Sequence, residues 1–134
     1  MKAVHERRNY PRARLAEPIQ MRHVISSHSG YVLEVQNDSL NAIGQDISES
    51  GIQARLDTSL KPGTILKVVF KLDPSEAQYH EAYVDVLWAR KGTVGLRFLV
   101  MDEVMRKRIR GLVENIVQME YESTPRDYGR SANL

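Results

Sequence analysis

Two groups of residues in this chain have types and spacings that suit chemistry. Arg7, Arg8, Arg12 and Arg14 lie in the string ERRNYPRAR with no lysine among them, and Arg8 and Arg12 form R-x-x-x-R. Asp46, Ser48 and Gly51 form D-x-S-x-x-G inside QDISESGIQARL. The planar guanidinium offers a fork of donors that matches the O6 and N7 acceptors of guanine, at about 1–3 kcal/mol per bidentate contact. It also pairs with phosphate oxygens and stacks flat on a purine, which a lysine ammonium does poorly. An ionised Asp46 only accepts, so it suits the N1–H and N2–H donor edge that arginine cannot read. Ser48 adds a small hydroxyl, and Gly51 permits a positive φ or the close approach of another group. Each group alone also has a plainer reading. A basic N-terminal stretch is a solvated tail, and D-x-S-x-x-G is turn chemistry in which Asp and Ser bond nearby backbone and Gly closes the bend. Together, each group supplies what the other lacks for reading a guanine and its phosphates.

These residues need a frame, and beyond residue 14 the pattern is one of strands. Ile19–Ile25 alternates, Tyr31–Val35 follows the polar SSHSG turn, and Leu40–Ile47 leads into the Asp46 motif. Ile52, Ala54 and Leu56 share one face of the next strand. Leu66, Val68, Phe70 and Leu72 share a face of Ile65–Leu72, between turns at Lys61-Pro62-Gly63 and Asp73-Pro74-Ser75. A long strand from Gln78 to Arg90 turns at Lys91-Gly92 into Thr93–Leu99. The period then changes. Met105, Ile109, Leu112, Val113 and Ile116 recur at three- and four-residue steps, which predicts an amphipathic helix with Asp102 as its N-cap. Residues 122–134 lack apolar periodicity and read as a polar tail. Closely spaced strands with little helix between them imply an antiparallel barrel, lidded or flanked by the terminal helix.

Composition bounds the rest. The 134 residues suit one domain, 42% hydrophobic and 27% charged, with a net charge of only +2, so the basic character is local rather than that of a general polyanion binder. There is no cysteine, which removes disulfide and thiolate chemistry. The start MKAVHERRNYPR has no apolar signal-peptide core, and no apolar run approaches the roughly 20 residues that span a bilayer. A cytoplasmic chain without membrane insertion is the expectation.

In their order, ERRNYPRARL, DISESGIQ, VDVLWARKG and VGLRF resemble segments of PilZ domains, across roughly residues 6–117. The resemblance implies an all-β fold, a six-stranded antiparallel β-barrel with a C-terminal α-helix, and a non-catalytic receptor for the bacterial second messenger cyclic di-GMP. Arg8 and Arg12 match the family's R-x-x-x-R, and Asp46, Ser48 and Gly51 its D-x-S-x-x-G. Arg7 stands where a basic residue accompanies an intercalated ligand dimer in the family. Trp88 stands where similar proteins carry an aromatic near the bound guanine; its other reading is a core ring sharing a strand face with Val84 and Val86. The organisation expected is a flexible basic segment over residues 1–14, the barrel and helix over 15–121, and the tail. The partners the resemblance implies are cyclic di-GMP and an unidentified downstream protein, with no DNA or RNA expected, and the processes it implies at family level are motility and biofilm formation.

Other chemistry is thin. His5, His23, His28 and His80 are scattered without metal-ligand spacing, Ser48 lacks a nucleophile context, and no phosphate loop is present. Arg106, Lys107, Arg108 and Arg110 read as the solvated side of the helix. Two rival readings keep the barrel. One is an adaptor in pilus or flagellar assembly that works through protein contacts alone; the other is a general nucleic-acid-binding barrel.

Overall fold

The computed structural model describes residues 12–26 and 33–123. Eight strands run β1 Ala13–Arg14, β2 Pro18–Ser26, β3 Leu33–Val35, β4 Leu40–Ile47, β5 Gly51–Arg55, β6 Ile65–Phe70, β7 His80–Arg90 and β8 Thr93–Met101, followed by helix α1 over Glu103–Ser123. The pairing order is β1-β4-β5-β8-β7-β6-β2-β3, and an added β4–β2 pairing joins the two sides. Six antiparallel strands, β4-β5-β8-β7-β6-β2, thus close on themselves, with β1 and β3 as short additions. This is the six-stranded barrel with a C-terminal helix that the strand pattern and the resemblance led us to expect. Closure satisfies the backbone groups that an open edge would expose.

The alternation read from the sequence is the alternation of the core. Ile19, Met21, Ala42, Ile52, Ala54, Leu66, Val68, Phe70, Val84, Val86, Val94 and Leu96 point inward and are buried. Each large aliphatic side chain so buried contributes about 1.5–3 kcal/mol. Helix α1 adds Met105, Ile109 and Val113 to the same cluster, so it belongs to the core. Its start is fixed by the Met105 N–H donating to Asp102 Oδ1 at 2.7 Å, the expected N-cap. β7 and β8 meet at the two-residue turn Lys91–Gly92, both at positive φ (34° and 81°), as so short a hairpin requires.

Boundaries moved at the ends. Ala13 and Arg14 fall inside the segment read as flexible, yet Ala13 pairs with Ile47 and Arg14 with Asp46, and Ala13 is buried. The helix continues to Ser123, one residue past the expected start of the tail. Arg7 and Arg8, the SSHSG turn beyond Ser26 and residues 124–134 lie outside the described residues.

Candidate functional site

Strand register sets which side chains share the barrel's outer wall. Asp46 pairs with Gln53, Gln53 with Gly95, and Gly95 with Trp88. One row along, Gly51 pairs with Arg97, and Arg97 with Asp85. These two rows face outward between the buried rows, and the D-x-S-x-x-G turn joins β4 to β5 at their end.

Arg12, just before β1, reaches across to that turn. Its Nε donates to Asp46 Oδ1, its Nη1 to Ser48 Oγ at 3.3 Å, and its Nη2 to the Gly51 carbonyl at 3.5 Å. One guanidinium therefore touches all three motif residues. Ser48 is fully buried; its Oγ also accepts from the Ser50 N–H at 3.2 Å and lies 2.9 Å from Ser50 Oγ. The Ser48 N–H donates to the Gly51 carbonyl at 2.9 Å, and the Phe98 N–H to the Ser50 carbonyl at 2.9 Å, which ties the turn to β8. Gly51 is not at positive φ. It is needed for close approach, because a Cβ there would stand 1.9 Å from the Leu96 carbonyl oxygen. Of the two roles open to this glycine, packing decides.

Trp88 does not take the core face it would share with Val84 and Val86 in an unbroken alternation. A bulge between Val86 and Trp88 makes Leu87 the extra residue, so the indole turns to the outer wall and is only half-buried. It lies over Gly95, where a Cβ would meet the ring Nε1 at 2.2 Å. The Arg90 guanidinium sits 5.5 Å from the ring centroid, a cation–π contact. Arg12, Gly51, Gln53, Trp88, Gly95 and Arg97 line one open groove of about 220 Å³. Arg97 is clamped at its rim by Asp85 through two bonds of 3.1 and 2.8 Å, which raises the guanidinium's pKa.

Gln53, Gly95 and Arg97 were not singled out in the sequence. The signal that marks them is alternation: each is the outward neighbour of an inward residue on the strands that flank Gly51 and Trp88. Arg7 and Arg8 lie outside the described residues, so the arginines brought to the groove are Arg12 and Arg97.

Three of the four basic residues of α1 pair with carboxylates, while Lys107 is exposed and forms no ion pair among the described residues. Arg110 grips Glu49 with bonds of 3.2 and 3.0 Å, Arg108 meets Glu76 at 2.9 Å, and Arg106 meets Glu103 at 3.6 Å. Glu49 lies inside the motif turn, so the Arg110 contact connects helix and site directly. Among the described residues, no three His, Asp or Glu gather as metal ligands, and no helix is long and apolar enough to cross a membrane.

A closed six-stranded barrel with a C-terminal helix thus carries an arginine-braced turn beside an aromatic groove. The PilZ domain family model matches residues 6–115, and the chain belongs to that family of cyclic di-GMP receptor domains, which are generally non-catalytic. Solved structures share the fold at low identity. The inhibitor of motility MotI/DgrA of Bacillus subtilis gives a TM-score of 0.61 at 14% identity, over 86% of this chain and 52% of that one. The PilZ domain of YcgR from Escherichia coli, solved with c-di-GMP, gives 0.54 at 13% identity, over 88% and 99%. The K. pneumonia MrkH–c-di-GMP complex gives 0.57 at 16% identity, over 87% and 55%. The chain thus spans about half the length of the motility inhibitor and of MrkH, and nearly all of the YcgR domain. No curated protein sequence matches it.

Proposed function

We propose that this chain is a non-catalytic cytoplasmic receptor that binds cyclic di-GMP through Arg7, Arg8, Arg12, Asp46, Ser48 and Gly51, with Trp88 beside a guanine. The observation that carries the reading is the convergence of Arg12 on all three motif residues at the edge of the Trp88 groove. Arginine has five N–H donors, and three contacts to the turn leave two donors and a flat face for guanine or phosphate. Arg7 and Arg8 close over the ligand from the N-terminal side. Residues 1–14 serve as the gripping segment, 15–121 as the scaffold and 122–134 as a tail. The ligand is an intercalated dimer. Binding orders the N-terminal segment, at the expense of part of the interaction energy, and presents an altered surface to a downstream protein. MotI/DgrA is an inhibitor of motility, which supports motility control as one process for such a receptor.

Calorimetric titration of cyclic di-GMP into the wild type and into Arg8→Ala, with GTP as control, tests this. Selective binding at two ligands per chain, abolished by the substitution, is the expected result. No binding by the wild type sinks the receptor reading and leaves the protein-contact adaptor.

A further inference from the structure

Among the described residues, some basic side chains meet carboxylates. Arg97 meets Asp85, Lys67 meets Glu81, Arg108 meets Glu76 and Arg110 meets Glu49. Others have no such partner, and three of these gather in one region of the barrel. Arg14, Arg55 and Lys91 form no ion pair among the described residues, yet all three line two adjoining grooves on the outer wall. The grooves measure about 390 and 380 Å³ and share Ile43 and Arg55, with Arg14 at one end and Lys91 at the other. Asp57 is the one carboxylate in the lining. The floor is aliphatic: Ile43 is 41% exposed and pairs with Arg55 across β4 and β5.

We infer that this double groove is a docking surface for an extended acidic protein segment carrying one aliphatic side chain. Uncompensated cations around a concave surface raise the local positive potential and attract a complementary chain. Arg14 on β1 pairs with Asp46 and Arg55 on β5 with Ile43, so they stand roughly 10 Å apart across the sheet and about three residues apart along β4. An extended segment covers that diagonal in about four residues. Its aliphatic side chain rests on Ile43 while carboxylates reach Arg14, Arg55 and Lys91. Proteins that bind single-stranded nucleic acids typically combine a basic groove with aromatic side chains on which the bases stack. The lining of these two grooves holds none, since Trp88 faces the neighbouring groove. The lining therefore favours a peptide over an oligonucleotide. The surface rests on Arg14, Arg55, Lys91 and Ile43 and stands whether or not the chain binds cyclic di-GMP.

The test is fluorescence anisotropy with a labelled synthetic heptapeptide of six acidic residues around a central isoleucine. The full chain is titrated at low and physiological salt. The expected result is saturable binding, weakened about tenfold by Arg55→Glu and by Arg14→Glu, in line with the role of interfacial charge. A peptide with serine in place of isoleucine binds several-fold more weakly, and Lys107→Glu on the exposed helix face changes nothing. Circular dichroism confirms that each variant is folded, with Arg55→Gln as a milder second variant. Absence of wild-type binding, equal loss with Lys107→Glu, or displacement of the peptide by an arbitrary single-stranded oligonucleotide at lower concentration would each overturn the inference.

Discussion

Gly95 on β8 lies opposite Trp88 on β7, and a Cβ at Gly95 would stand 2.2 Å from the indole Nε1. The glycine is thus the seat of the ring. Gly95→Ala is expected to push the indole out of the groove, shift tryptophan emission to the red and weaken cyclic di-GMP binding. The clash is with a side chain that can swing away, so Tm falls by only a few degrees, corresponding to about 1 kcal/mol or less. Emission spectra with calorimetry check this, and an unchanged spectrum would show that Gly95 does not seat the ring.

Gly51→Ala meets a harder obstacle. The new Cβ would lie 1.9 Å from the Leu96 carbonyl oxygen, a backbone atom held in the β5–β8 ladder. The strands must part or shift, at a cost of about 1–3 kcal/mol or more. Urea denaturation is expected to rank Gly51→Ala well below Gly95→Ala in stability; equal midpoints would contradict the packing account.

Arg12→Ala removes a half-buried guanidinium that bonds Asp46, Ser48 and Gly51. If Arg12 takes a guanine as proposed, loss of that bidentate contact, at about 1–3 kcal/mol, is expected to weaken cyclic di-GMP binding roughly 5- to 150-fold. Arg12→Lys restores little, because an ammonium cannot reproduce the planar fork. Titration calorimetry on both variants measures the loss, and rescue by lysine would reduce Arg12 to a simple charge.

The Glu49 carboxyl is held below its ordinary value by hydrogen bonds from Arg110, against a smaller opposing effect of partial burial, with the charges of Arg110 and Arg106 adding to the lowering. A depressed folded-state pKa contributes stability that is fully present above the ordinary glutamate value near 4.5 and is lost as pH falls through the folded value. Glu49→Gln is therefore expected to be less stable than wild type at neutral pH, with the two curves converging in strong acid. Thermal melts from pH 7 to pH 3 check the convergence.

Met105→Ala and Ile109→Ala are each expected to cost about 2–5 kcal/mol, because both side chains are fully buried in the barrel's own cluster. A helix that merely lay on the surface would tolerate either change. Chemical denaturation distinguishes the two cases, and the loss should appear in one transition rather than two.

Much of the site was legible because its signals are local. R-x-x-x-R and D-x-S-x-x-G are fixed by spacing alone, and Arg12, Asp46, Ser48 and Gly51 do meet. Trp88 was legible only as a choice between two faces. The bulge at Leu87 made that choice, and nothing in VLWAR marks where an extra residue enters a strand. Arg97 was hidden for a related reason: its place in the groove follows from pairing with Gly51, a register that no single strand contains.

By itself the sequence determined the strands from β2 onward, the N-capped helix, the inward rows such as Leu66, Val68 and Phe70, and the R-x-x-x-R and D-x-S-x-x-G motifs. All of these follow from periodicity and residue chemistry within a few positions of the chain. The tertiary structure alone decided that β4 closes the barrel by pairing with β2 as well as β5, that Gly51 serves close packing, and that Arg110 reaches Glu49. Such outcomes depend on which distant backbone groups satisfy one another, and alternation along one strand fixes a side chain's face only until a bulge reverses it.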